Sequence, residues 1–122
     1  MSLIIGDSIR QQEFGSEIPD LDRKVIVRSA KVDLTTAIKG EKLPKGTRLL
    51  KAYATSPNGA RRIVFLLEVQ ADDLFLLFYR DKKDAVGSNL TIQNKAFKRQ
   101  LHKYLHYLVD DLDSGNFEVL DL

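Results

Sequence analysis

The side chains that could do chemistry in this sequence are cations and a histidine pair. Lys39, Lys42, Lys45, Arg48, Lys51, Arg61 and Arg62 crowd the middle of the chain against a single acid, Glu41. The first segment carries Asp7, Glu13, Glu17, Asp20 and Asp22 against Arg10, and the tail carries Asp110, Asp111, Asp113, Glu118 and Asp121 with no base. The net charge of +2 therefore hides an asymmetry that can build either a phosphate-facing surface or an ordinary solvated one. His102 and His106 stand four residues apart, so a helix puts them on one face. Such a pair can hold zinc, but no glutamate sits between them and no third ligand is evident. The remaining readings are an acid/base pair of a metal-free nuclease or part of a polar helix face beside Lys98 and Lys103, and the second is favoured. Cysteine is absent, which removes disulfides, thiolate catalysis and cysteine-bound zinc, and fits a cytoplasmic location. No metal or cofactor is expected.

The elements that must position these groups follow from periodicity. Pro19-Asp20 starts a helix, and Ile26, Ala30, Leu34, Ala37 and Ile38 place one apolar stripe on it to about residue 39, before Gly40 and Pro44. Arg48–Ala54 reads as a strand and residues 55–59 as a turn. Two nearly continuous apolar runs, Arg61–Gln70 and Leu74–Arg80, joined by Ala71-Asp72-Asp73, read as a buried antiparallel hairpin at the centre of a sheet. After a polar stretch, Phe97, Leu101, Tyr104, Leu105, Leu108 and Leu112 mark one face of a helix that Thr91 can cap and Ser114-Gly115 ends. Leu3–Ile5 and Phe117–Leu122 are possible short strands. The expected fold class is α+β, a small antiparallel sheet with amphipathic helices packed against it. The length of 122 residues fits one domain, and no apolar run approaches the ~20 residues of a membrane span. Met1 to Gly6 lacks the basic start and long apolar core of a secretory signal. Residues 1–18 read as an N-terminal extension of unassigned structure, and 19–122 as the domain.

Four stretches carry a family resemblance. Asn58-Gly59 followed by Ala60-Arg61-Arg62-Ile63 resembles the glycine-then-arginine opening of the central strand in RelE/HigB-type toxins of bacterial toxin–antitoxin systems. Phe78-Tyr79-Arg80-Asp81-Lys82-Lys83 is similar to the family's stretch of aromatic or apolar residues followed by lysine and polar residues. Asn89-Leu90-Thr91 resembles the entry to its C-terminal helix, and Gly115-Asn116-Phe117-Glu118-Val119 resembles the end of one branch. The likeness covers about residues 19–120 and is strongest over 58–97.

The resemblance implies a RelE-like fold and a metal-independent endoribonuclease, an mRNA interferase that acts on mRNA at the ribosome and is neutralised by an antitoxin. In that chemistry the RNA 2′-hydroxyl attacks the adjacent phosphate, which requires a base, positive charge on the phosphorane and an acid for the leaving oxygen. Arg61 and Arg80 are expected at the phosphate, because a guanidinium fork grips paired oxygens and the two lie at neighbouring ends of antiparallel strands. Tyr79 could stack a base or donate a proton, or be a core tyrosine with a wet hydroxyl. Lys51, mid-strand between Leu50 and Ala52, faces either substrate or solvent from an edge strand. Arg62, Lys82, Lys83 and Lys98 are expected RNA contacts, with a solvated turn the other reading of the lysine pair. Two further functions stay open: a non-catalytic toxin-fold binding protein and a small dimeric regulatory domain. A homodimer or toxin–antitoxin hetero-oligomer is compatible with the sequence, and no membrane partner is expected.

Overall fold

The computed structural model describes all 122 residues. In chain order the elements are β1 (Ser2–Gly6), α1 (Asp7–Phe14), α2 (Asp20–Ser29), β2 (Thr36–Ile38), β3 (Thr47–Ser56), β4 (Gly59–Glu68), β5 (Asp73–Asp81), α3 (Lys95–Ser114) and β6 (Phe117–Asp121). They form an α+β protein around one sheet of order β2-β3-β4-β5-β1-β6. The two apolar runs become β4 and β5, paired antiparallel from Glu68↔Asp73 to Arg61↔Asp81, with an irregularity between Val64 and Phe65. Their middles are buried because both sheet faces are covered. β3 pairs with β4 along its whole length and closes on it through Pro57-Asn58. Gly59, at φ 115, supplies a backbone conformation there that side chains resist.

Each face has its own core. Under α3, the buried Phe97, Leu101, Tyr104 and Leu108 pack on Leu49, Val64, Leu66, Leu77 and Phe78. Under α2, Val25, Ile26 and Ala30 pack on Leu50, Ala52, Ile63, Phe65 and Leu76. The stripe expected on the last helix is thus the observed one, and Gly115 ends it at φ 73 with its N–H on Asp111 and Leu112 carbonyls. Its start is Lys95 rather than the turn after Thr91, because Asn94 caps it: the Asn94 side chain accepts from the Ala96 N–H at 3.1 Å. The same amide donates to the Ala85 and Asn89 carbonyls, 2.9 Å each, and so ties down the preceding loop.

Three expectations change. The helix expected to run to residue 39 stops at Ser29, and Val32–Leu34 form a single 3-10 turn. Val32, Thr35, Thr36 and Ile38 are β-branched and resist helix, and Thr36–Ile38 pair instead with Leu49–Lys51. Leu34, matched to the stripe by spacing alone, is 59% exposed. The sheet is mixed rather than antiparallel, since β1 runs parallel to β5 and antiparallel to β6. Residues 1–18 are consequently no extension: β1 lies inside the sheet with Leu3 and Ile5 buried, and α1 adds Ile9 to the core. The start of α1 is held by the buried Asp111 carboxylate, which accepts from the Ser8 N–H at 2.7 Å and its hydroxyl at 2.9 Å. No helix is long and apolar enough to cross a membrane.

The loop between β5 and α3 packs Val86 and Leu90 into the core and runs flat against the end of β5. At Gly87 a Cβ would lie 2.3 Å from the Asp81 carbonyl oxygen. Gly87→Ala is therefore expected to destabilise the protein by ~2 kcal/mol, the scale of a packed-site overlap, read as a lower urea midpoint. An unchanged midpoint would show that the loop does not need this contact.

Candidate functional site

Arg61, Tyr79 and Arg80, the three side chains expected to carry the chemistry, line one hollow at the tips of β4 and β5. The hollow is not electropositive. Glu13, Glu17, Asp22, Asp81 and Asp84 line it as well, five carboxylates against two guanidiniums. Register explains part of this, because Arg61 stands opposite Asp81 while Arg80 stands opposite Arg62, so the two expected phosphate ligands start from opposite sheet faces.

Arg80 is committed to the protein. Its Nε lies 2.9 and 3.0 Å from the two Glu13 oxygens, its second terminal nitrogen 2.8 Å from Glu13 Oε2, and its first 3.1 Å from Asp84 Oδ2. The Glu13 side chain is fully buried and also accepts from the Tyr79 N–H at 2.8 Å and the Tyr104 hydroxyl at 2.6 Å. Burial is the largest single influence and opposes the Arg80 charge, but Glu13, with Tyr104 and Asp84, together outweigh it and raise its pKa further. Asp84 is desolvated too, yet the Val86 and Gly87 N–H groups and Arg80 hold it below the usual carboxylate value. Arg61 lies 3.1 Å from Asp81 and 5.7 Å from the centre of the Tyr79 ring. The Tyr79 ring packs on Phe14 and its hydroxyl donates to Asp22 at 2.7 Å. Burial, then the Asp22 carboxylate, pushes that phenol up to about 12. Tyr79 is thus a core tyrosine with its donor occupied, and Arg80 is a buried-pair arginine rather than a phosphate ligand.

A different trio is free. β3 and β4 bring Lys51, Tyr53 and Arg62 to the α3 side of the sheet, with Tyr53 directly opposite Arg62. The Arg62 guanidinium sits 4.2 Å and the Lys51 ammonium 5.4 Å from the centre of the Tyr53 ring. Neither cation lies within ion-pair distance of a carboxylate. Tyr53 is 60% exposed, and Lys51, as donor and charge, together with Arg62 lowers its phenol below the ordinary value against a smaller desolvation effect. Lys51 also lines a groove with Ile38, Lys39, Leu90, Thr91, Ile92 and Gln93. Sequence reasoning passed over Tyr53; the signal was an aromatic residue two positions from Lys51, hence on the same strand face.

The other expected contacts are scattered. Lys82 and Lys83 are exposed in the turn after β5. Lys98 pairs with Glu41 at 2.9 Å. His102 and His106 line a separate hollow with Lys42, Pro44, Leu105 and Val109, none of it shared with Lys51, Tyr53 or Arg62, and no third metal-binding side chain joins them.

Two outcomes follow from the buried network. Glu13→Ala is expected to cost ~3 kcal/mol, because Arg80 keeps only one carboxylate, Asp84, and the Tyr104 hydroxyl loses its acceptor, whereas Arg10→Ala, whose partner Glu17 is 82% exposed, costs less than ~1 kcal/mol in the same denaturant titration. Equal losses would remove the special status of Glu13. The phenols give a pH dependence. Below about pH 10 folded and unfolded chains both keep Tyr79 protonated. As the pH rises from there toward about 12 only the unfolded chain releases that proton, so folding stability falls across this window. In a tyrosinate absorbance titration, Tyr53 ionises at lower pH than Tyr79. A single shared ionisation of all tyrosines is the contrary result.

Comparison with protein-family models, with curated proteins and with solved structures finds no match.

Proposed function

We propose that this chain is a RelE/HigB-like toxin, a metal-independent endoribonuclease that cuts mRNA, with its reacting groups at Lys51, Tyr53 and Arg62. The observation that carries the reading is the pair of cations without carboxylate partners on either side of an exposed tyrosine. An incoming phosphate meets full positive charge there and displaces no ion pair. Arg62 grips the non-bridging oxygens and stabilises the phosphorane. The Tyr53 phenolate takes the 2′-hydroxyl proton, the 2′-oxygen bonds to phosphorus, and the bond to the 5′-oxygen breaks. The Lys51 ammonium protonates that leaving oxygen, giving a 2′,3′-cyclic phosphate and a 5′-hydroxyl. A phenol is a modest base at neutral pH, so the reaction gains most when the strand is held in place, as on a translating ribosome. An antitoxin covering the trio would silence it. The α+β sheet, flanked by α2 and α3, is compatible with a RelE-like fold.

A toxin-fold protein that binds without cutting is favoured by one observation: Arg61 and Arg80, the arginines that the resemblance assigns to the phosphate, are held by carboxylates.

The test is cleavage of an mRNA by the purified chain, with and without ribosomes and with a chelator present. Lys51→Ala and Arg62→Ala are each expected to slow cutting by ~100-fold, the scale of one lost transition-state donor, without lowering the urea midpoint. Each also reduces the slope of log affinity against log salt by roughly 0.7, one phosphate contact on a single strand. Because the base works ionised, the rate climbs with pH toward the lowered Tyr53 value, and Tyr53→Phe flattens that climb. Binding with no cut products selects the non-cutting reading, and full activity in the Lys51/Arg62 double variant removes the trio from the reaction.

A further inference from the structure

The hollow between α3 and the loop from β2 to β3 is unused by the reaction above. It measures about 320 Å³, within the ~300–1,000 Å³ range of small-molecule sites, and no carboxylate lines it. Its two sides differ in chemistry. Lys42 and the imidazoles of His102 and His106 supply N–H donors, while Pro44, Leu105 and Val109 supply apolar surface, with Val109 50% exposed. Two further features set it apart from an ordinary solvated helix face. Lys42 is held in the left-handed region at φ 55, a conformation that costs a non-glycine residue ~1 kcal/mol. His102, which lines the hollow, has its Nε2 buried with no hydrogen-bond partner in the protein, a polar atom left for a ligand to satisfy. Glu41, the acid in the adjoining loop, is occupied by Lys98.

We propose that this hollow binds one nucleotide unit, its phosphate on Lys42 and His106 with His102 joining them, and its base or sugar against Pro44, Leu105 and Val109. The donors suit phosphate oxygens in either charge state of the imidazoles, and the apolar wall suits the flat face of a base. The unit can belong to a free mononucleotide or to a longer RNA strand that also reaches Lys51. The second source rests on the RNA-cutting reading, whereas the hollow's own chemistry does not.

The full chain is titrated with adenosine monophosphate and, separately, with a short oligoribonucleotide, while the imidazole proton signals of His102 and His106 are followed by NMR. Both signals are expected to shift with at least one probe, and His106→Ala and Lys42→Ala each weaken that binding roughly tenfold, about one charged hydrogen bond. Shifts with the mononucleotide and the oligomer alike identify a nucleotide pocket. Shifts with the oligomer alone identify a strand-anchoring subsite, in which case His106→Ala raises KM for cleavage and leaves kcat in place. Silent histidine signals with both probes overturn the proposal, even if the chain cuts RNA. Shifted signals in a chain that never cuts leave the pocket standing and remove the nuclease.

Discussion

One buried carboxylate decides how the parts of this protein sit. The Glu13 side chain ends up with no exposure, and several donors converge on its oxygens. Those donors come from different places: the Tyr79 backbone and the Arg80 side chain on β5, and the Tyr104 hydroxyl on α3. Arg80 then reaches on to Asp84, whose oxygen also receives the Val86 and Gly87 N–H groups and so orders the loop before α3. A short helix, a central strand, the long helix and a loop are thus referred to a single point. Because these bonds share one carboxylate, losing one partner weakens the setting of the others, and their effects are not additive.

That constraint also divides the cations by role. An arginine held by a buried glutamate has its fork filled and its field largely offset. Lys51 and Arg62 are held differently. They rest on an aromatic face, an attraction of ~0.5–1 kcal/mol at an exposed site, which orients them without neutralising them. Orientation by a ring and compensation by a carboxylate look alike in a residue count and have opposite consequences for an approaching anion. The same distinction separates Tyr53 from Tyr79: cations pull one phenol down, while burial and an acid push the other up.

Local pattern revealed what local physics controls. The β3-β4-β5 meander, the buried face of α3 and its glycine stop were legible because apolar periodicity and turn chemistry act within a few residues. Lys51 stood out for the same reason, as a cation between apolar neighbours. The helix break at Ser29 was obscured by coincidence: Leu34, Ala37 and Ile38 fall at helical spacing, yet their β-branched neighbours and a free strand edge offered a better pairing. The place of β1 was hidden because a five-residue strand has too little pattern to announce a parallel partner seventy positions away. Hidden for the same reason was the fate of Arg80, whose glutamate lies 67 residues upstream. A pair of strand-end arginines read from sequence is a statement about cations alone, and their carboxylates arrive only with the fold.

Topology turns the uneven charge of the sequence into an uneven molecule. Of the acids in the first and last segments, Asp7, Glu118 and Asp121 stand toward the β1–β6 side of the sheet, while Asp20 and Asp22 lie on α2 and Asp110, Asp111 and Asp113 on α3. The basic middle becomes β2, β3 and the loop between them at the opposite edge, with Lys39, Lys42, Lys45, Arg48 and Lys51. A net charge of +2 therefore understates the field that a polyanion meets. Approach to the β6 edge is repelled and approach to the β2–β3 edge is drawn in, so the molecule is oriented before contact. Both the Lys51–Tyr53–Arg62 trio and the Lys42–His106 hollow draw residues from that basic stretch. Neither needs a dense cluster of charge of its own, because the separation of acid from base along the chain already makes this edge the one that attracts an anion.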